Sequence, residues 1–131
     1  MKQLIELKEP LGKITDASDV FKKIKKINIE FEQENFLVVF LNRQLQVLDI
    51  EVLFKGGCAE VTIDPKIIFR KALLKNAQRL IIAHNHPSGH LKPSYEDEEC
   101  FRRLKALGQE LNLQVLDSII FNQKEFYSIL E

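Results

Sequence analysis

Phe36-Leu37-Val38-Val39-Phe40-Leu41 is an unbroken apolar run. With Asn35 in front of it, the run is too short for a typical helix and shows no polar–apolar alternation, so it reads as a buried strand. A buried strand must pair, and the sequence supplies partners. Asn42-Arg43-Gln44 offers a turn, and residues 45–54 read as a second strand in hairpin with the first. Residues 80–83 form a short apolar strand running directly into His84. Residues 115–121 and 126–130 read as two closing strands joined by Asn122-Gln123-Lys124-Glu125.

Helices fall between these strands. Asp16 or Ser18 can cap a helix whose Val20, Phe21, Ile24 and Ile27 share one face. Gly56-Gly57 breaks the second strand, and residues 59–63 read as a short extended piece. Asp64-Pro65 then has the form of a cap followed by a first-turn proline, opening a helix to about Asn76. After a loop punctuated by proline and glycine from Pro87 to Pro93, a helix is expected from Ser94 to about Leu111, with Phe101, Leu104, Leu107 and Leu111 on its apolar face. Residues 1–14 read as an extended arm. Helices and hairpins without a strict βαβ alternation give an α+β or mixed α/β sandwich as the fold class.

The 131 residues, with no internal repeat or linker, are expected to form one domain, residues 1–131. Cys58 and Cys100 have the spacing of neither a zinc knuckle nor a redox pair, so they read as free thiols in a reducing compartment. The N-terminus is broken by charges too often for a signal peptide, and no apolar run approaches the roughly 20 residues that span a bilayer. A cytoplasmic location is expected. Nineteen basic residues balance nineteen acidic ones, so net charge offers no general attraction to nucleic acid. Lys22-Lys23-Ile24-Lys25-Lys26 is a local exception that reads first as a solvated helix face.

All three histidines lie within His84-Asn85-His86-Pro87-Ser88-Gly89-His90. Residues two apart on a strand share a face, so His84 and His86 can reach one ion. If the loop brings the next helix back beside the strand end, Asp97 supplies a third ligand. Two imidazoles and a carboxylate suit Zn²⁺ and leave a fourth position for water, as in catalytic sites. Ser94-Tyr95-Glu96-Asp97 also matches a capping box, which competes with metal for the lone pairs of Asp97. His90 reads as a surface loop residue, and Ser88 and Gly89 as loop-shaping.

His84-Asn85-His86-Pro87-Ser88-Gly89, followed by Pro93-Ser94 and Asp97, resembles the signature of the RadC family of JAMM/MPN-type metalloprotein domains. Asp64-Pro65, Arg70-Lys71-Ala72 and Asn76-Ala77 upstream, with Leu116-Asp117 and Ile119-Ile120 downstream, extend the resemblance over roughly residues 30–122. It implies a JAMM/MPN-like, cytidine-deaminase-like mixed β-sheet flanked by helices, with zinc on His84, His86 and Asp97. It also implies an upstream glutamate beside the zinc water. Glu34 occupies the matching place, with Glu32 and Glu51 as rivals. Ser118 stands where the family commonly has histidine, and the family's additional N-terminal helical region has no room in this chain.

The expected activity is zinc-dependent hydrolysis of a peptide or isopeptide amide, with Glu34 and Ser94 as catalytic residues. The alternative is a DNA-repair-associated or phage-defence accessory domain without protease activity, supported directly only by the basic run at residues 22–26. The intact triad favours the first.

Overall fold

A computed structural model describes residues 12–56 and 63–130. The expected arm is thus described only from Gly12 onward, and Cys58 with most of the expected extended piece at 59–63 lies outside the described residues. The elements are α1 (Ala17–Ile24), β1 (Glu34–Leu41), β2 (Val47–Gly56), α2 (Pro65–Leu74), β3 (Arg79–Asn85), α3 (Tyr95–Glu110), β4 (Gln114–Phe121) and β5 (Phe126–Ser128). The strands form one mixed sheet in the order β2-β1-β3-β4-β5. β1 pairs antiparallel with β2 and β3, β4 runs parallel to β3, and β5 returns antiparallel to β4. The β3-α3-β4 segment is a crossover, the connection parallel neighbours require.

Why the apolar run lacks alternation is now clear: both faces of the sheet are covered. Leu37, Val39 and Leu41 pack with Ile81, Ala83 and the apolar stripe of α1 on one side. Phe36, Val38 and Phe40 pack with Leu80, Ile82, α2 and α3 on the other. The result is three layers, helix–sheet–helix. The basic run falls on and just after α1, across the sheet from α2 and α3.

Local chemistry sets the ends of the helices. Asp16 caps α1 by accepting from Asp19 N–H at 3.0 Å, and Asp64 caps α2 by accepting from Lys66 N–H at 3.0 Å. α2 and α3 stop alike, each at an asparagine with positive φ, Asn76 (55°) and Asn112 (56°). The next N–H reaches back over the last turn in both, Ala77 to Ala72 O at 2.9 Å and Leu113 to Gly108 O at 2.8 Å. This is the Schellman arrangement, in which asparagine tolerates the left-handed position better than most residues.

The apolar face of α3 differs from the sequence expectation. Phe101, Leu104 and Gly108 are buried, while Leu107 and Leu111 remain 38% and 47% exposed. The cause is close approach. A Cβ at Gly108 would lie 2.3 Å from Leu113 O and 3.3 Å from Val115 Cγ2, so the helix touches the chain at its glycine. Leu107 is left at the margin of the buried arc.

Gly108→Ala should therefore destabilise the fold by about 1–3 kcal/mol, because overpacking against backbone outweighs the roughly 1 kcal/mol gain in helix propensity. Urea unfolding of this variant beside Leu107→Ala checks it. A Gly108→Ala protein as stable as wild type would show that the contact relaxes freely.

Candidate metal centre

β3 carries His84 on the face toward α2 and α3 and ends at Asn85, so His86 lies just past the strand. The His84 ring is buried and stacks on Phe36, its partner across β1, with centroids 6.3 Å apart and planes 10° from parallel. The His86 ring lies 5.1 Å from that of His84. α3 starts beside them, and its first turn brings Asp97 into place. Asp97 Oδ1 is 3.0 Å from His84 Nε2, and Asp97 Oδ2 is 2.9 Å from His86 Nε2.

The capping box is present too. Ser94 Oγ accepts from Asp97 N–H at 3.1 Å, and Asp97 Oδ2 accepts from Ser94 N–H at 2.8 Å. The expected competition between cap and ligand is resolved by the carboxylate's two oxygens and their several lone pairs. The cap engages Oδ2, while Oδ1 faces His84. A cap that fixes the Asp97 rotamer also fixes where that second oxygen points.

Donor chemistry fits a cation. His86 Nδ1 lies 2.9 Å from His90 O, and a carbonyl only accepts, so Nδ1 carries a proton. The Nε2 lone pair of a neutral His86 is thereby aimed at the cluster, the tautomer a metal needs. His84 Nε2 is buried and unaligned for hydrogen bonding despite its short distance to Asp97. Ligand atoms of His84, His86 and Asp97 all lie within 4.8 Å of one another, so the three could hold a metal ion.

Electrostatics agree. Burial alone would push the Asp97 carboxyl up, but the His84 and His86 rings close beside it outweigh that and hold Asp97 well below the usual carboxylate range. The hydrogen bond to Asp97 raises His86 above its ordinary 6.5. A cation at the cluster would compete with a proton for the His86 Nε2 lone pair.

A cleft of about 1280 Å³ opens over the cluster, lined also by Glu34, Phe36, Ser94, Cys100 and Ser118. Glu34 is half-buried on the same sheet face. Burial pushes its carboxyl up, partly offset by His84 and His86. The rival glutamates are placed otherwise. Glu32 is exposed outside the cleft. Glu51 accepts from Lys71 at 3.0 Å and Lys75 at 2.6 Å, and these cations hold it below its usual range despite some burial.

Burial pushes the Cys100 thiol up to about 11, so it stays protonated and unreactive. Ser118 is buried opposite Ile82 on the cluster's face of the sheet. The residue that sequence reading passed over is Asn85, which looks like a spacer between two histidines. Its signal was a polar side chain inside a buried strand.

A mixed sheet between helices, with two histidines from the end of a central strand and an aspartate from the first turn of the next helix, makes this a JAB/MPN-like fold. Residues 14–131 match the RadC-like JAB domain, and the chain belongs to that family. The match is wider than the 30–122 stretch expected from motifs. Among similar proteins, the UPF0758 protein of Flavobacterium johnsoniae is 36% identical over 92% of this chain and 53% of its own length. That of Staphylococcus haemolyticus is 38% identical over 91% of this chain and 52% of its own. That of Staphylococcus aureus strain NCTC 8325 is 35% identical, covering 100% of this chain and 64% of its own. The chain thus spans about half to two-thirds of the length of these relatives. Membership is compatible with hydrolase activity. Among the described residues, no helix is long and apolar enough to cross a membrane.

One metal ion per chain is expected. Elemental analysis after dialysis should show it lost in His84→Ala and Asp97→Ala and kept in His90→Ala, because His90 contributes only its carbonyl. Equal loss in His90→Ala would reassign the site.

The pH dependence has a definite sign. In the metal-free protein, the raised His86 stabilises fully below its ordinary 6.5 and loses this as pH rises through its raised value. The lowered Asp97 stabilises fully above its ordinary 3.8 and loses this as pH falls through its lowered value. Metal needs neutral imidazole, so the melting-temperature gap between metal-loaded and chelator-stripped protein should widen from about pH 6 to 8. A constant gap would contradict histidine ligation.

Proposed function

We propose that the protein is a zinc-dependent hydrolase of peptide or isopeptide amide bonds, with His84, His86 and Asp97 as ligands, Glu34 as proton carrier and Ser94 as oxyanion donor. The observation that carries this reading is the half-buried Glu34 carboxyl, set in the same cleft and on the same sheet face as the triad. A bound zinc ion supplies a Lewis-acidic pole and a water of lowered pKa.

The chain's own residues do the rest. Glu34 accepts a proton as the water oxygen bonds to the carbonyl carbon. When the C–N bond breaks, Glu34 returns that proton to the amine nitrogen, leaving a carboxylic acid and an amine. Its upward-shifted carboxyl suits both directions of transfer. Ser94 Oγ uses an acceptor lone pair for Asp97 N–H, so its O–H is free to donate to the tetrahedral oxyanion. The cleft exceeds the roughly 300–1,000 Å³ of small-molecule pockets, which supports a chain-like substrate. A reducing, cytoplasmic setting is part of this reading, because Cys58 and Cys100 have the spacing of neither a zinc knuckle nor a redox pair.

Glu34→Gln keeps shape and hydrogen bonding but carries no proton. At saturating zinc the stoichiometry should hold while the hydrolysis rate on an accepted peptide falls about 10²–10⁴-fold, with Glu32→Gln and Glu51→Gln within about threefold of wild type. Zinc stoichiometry and rates across a peptide panel check it. A Glu34→Gln protein at wild-type rate, beside an inactive Glu51→Gln, would move the base to β2.

A further inference from the structure

Asn85 stands between the two histidines, yet strand alternation turns its side chain to the opposite face of the sheet. There it is fully buried beside Asn35, also fully buried. The β1–β3 register has Phe36 opposite His84, and one step further brings Asn35 level with Asn85. At that step side chains take over the cross-links. Asn85 Oδ1 accepts from Asn35 N–H at 2.8 Å and from Asn35 Nδ2 at 3.1 Å. Asn85 Nδ2 donates to Gln33 O at 3.0 Å and Phe31 O at 3.4 Å. Asn35 Nδ2 donates to Glu30 O at 2.8 Å and Gln33 O at 3.1 Å.

Two buried amides thus fasten the chain from Glu30 to Asn35 onto the strand that carries the histidines. Glu34 lies inside that fastened stretch, where strand ends ordinarily fray. Its backbone is level with Gly56 of β2, at the start of the β1–β2 register.

We propose that Asn85 is a positioning residue: it locks the start of β1 to the metal-bearing strand and so holds the Glu34 carboxylate over the cluster of His84, His86 and Asp97. One residue apart on β3, His84 serves the front of the sheet while Asn85 serves the back. The distance between ligand and proton carrier is then set through the backbone. An amide suits the task because it accepts from an N–H and donates to carbonyls at once, which a carboxylate or an alkyl group does not. This rests on the assignment of Glu34 given above.

The test uses the full chain and zinc alone. Dissociation constants are measured by chelator competition for wild type, Glu34→Gln, Asn85→Ala and the double variant. Hydrogen exchange is followed in parallel. A carboxylate held beside the ion attracts it, so Glu34→Gln should weaken zinc about tenfold, and Asn85→Ala by a similar factor. The double variant should lose about tenfold rather than a hundredfold, since both changes remove one contribution. In Asn85→Ala, exchange should quicken about tenfold over residues 30–36 and stay at the wild-type rate in α3.

A full Glu34→Gln effect persisting in the Asn85→Ala background would overturn the role of Asn85 while leaving Glu34 beside the ion. No effect of Glu34→Gln on zinc in the wild-type background would overturn both assignments together. Should Asn85→Ala fail to fold, Asn35→Ala removes the Nδ2 contacts to Glu30 and Gln33 from the other side, and the same cycle decides.

Discussion

The antiparallel pairing of β1 with β3, Phe36 opposite His84, sets which side chains meet in this molecule. Because strand side chains alternate, a one-residue slip would exchange every front-facing group for a back-facing one. Glu34 would leave the cleft, and the buried asparagines would no longer meet. The register is well specified because both faces are apolar and differently shaped: Phe36, Val38 and Phe40 fit the side under α2 and α3, while Leu37, Val39 and Leu41 fit the side under α1. Packing of a two-sided core thereby fixes the geometry of the site.

Asp97 is the second point on which the site depends, and it serves two purposes with one carboxylate. As N3 of α3 it completes the capping box with Ser94, and as neighbour of His84 and His86 it completes the triad. Stability and the capacity to hold an ion are here compatible. The helix start that the cap favours is the one that delivers the carboxylate, and a carboxylate fixed by the cap loses little rotamer freedom on meeting an ion.

Much of the fold was legible because its signals are local. Apolar runs gave β1 and β3, Asp64-Pro65 gave the start of α2, and Ser94 the start of α3. α3's buried face was misread through Gly108: a glycine advertises no hydrophobicity, and its contact with Leu113 O arises only when helix and strand pack. In the cleft, the histidines and Asp97 were legible through spacing and resemblance. Glu34 was singled out by the resemblance alone, with Glu32 and Glu51 as rivals; the structure ties Glu51 to Lys71 and Lys75 and leaves Glu32 outside the cleft.

What the sequence determined by itself was the kind of parts: buried strands, capped helices, and a donor set of two imidazoles and a carboxylate with the spacing of a RadC-like JAB domain. These follow from side-chain chemistry and short-range periodicity, which the chain carries along its length. Only the tertiary structure decided which oxygen of Asp97 faces His84, which glutamate shares the cleft, and that Asn85 turns away from the histidines on either side to clasp residues 30–35. The last two of those outcomes join positions some fifty residues apart. They are set by strand register and the packing of two sheet faces, and no local pattern encodes them.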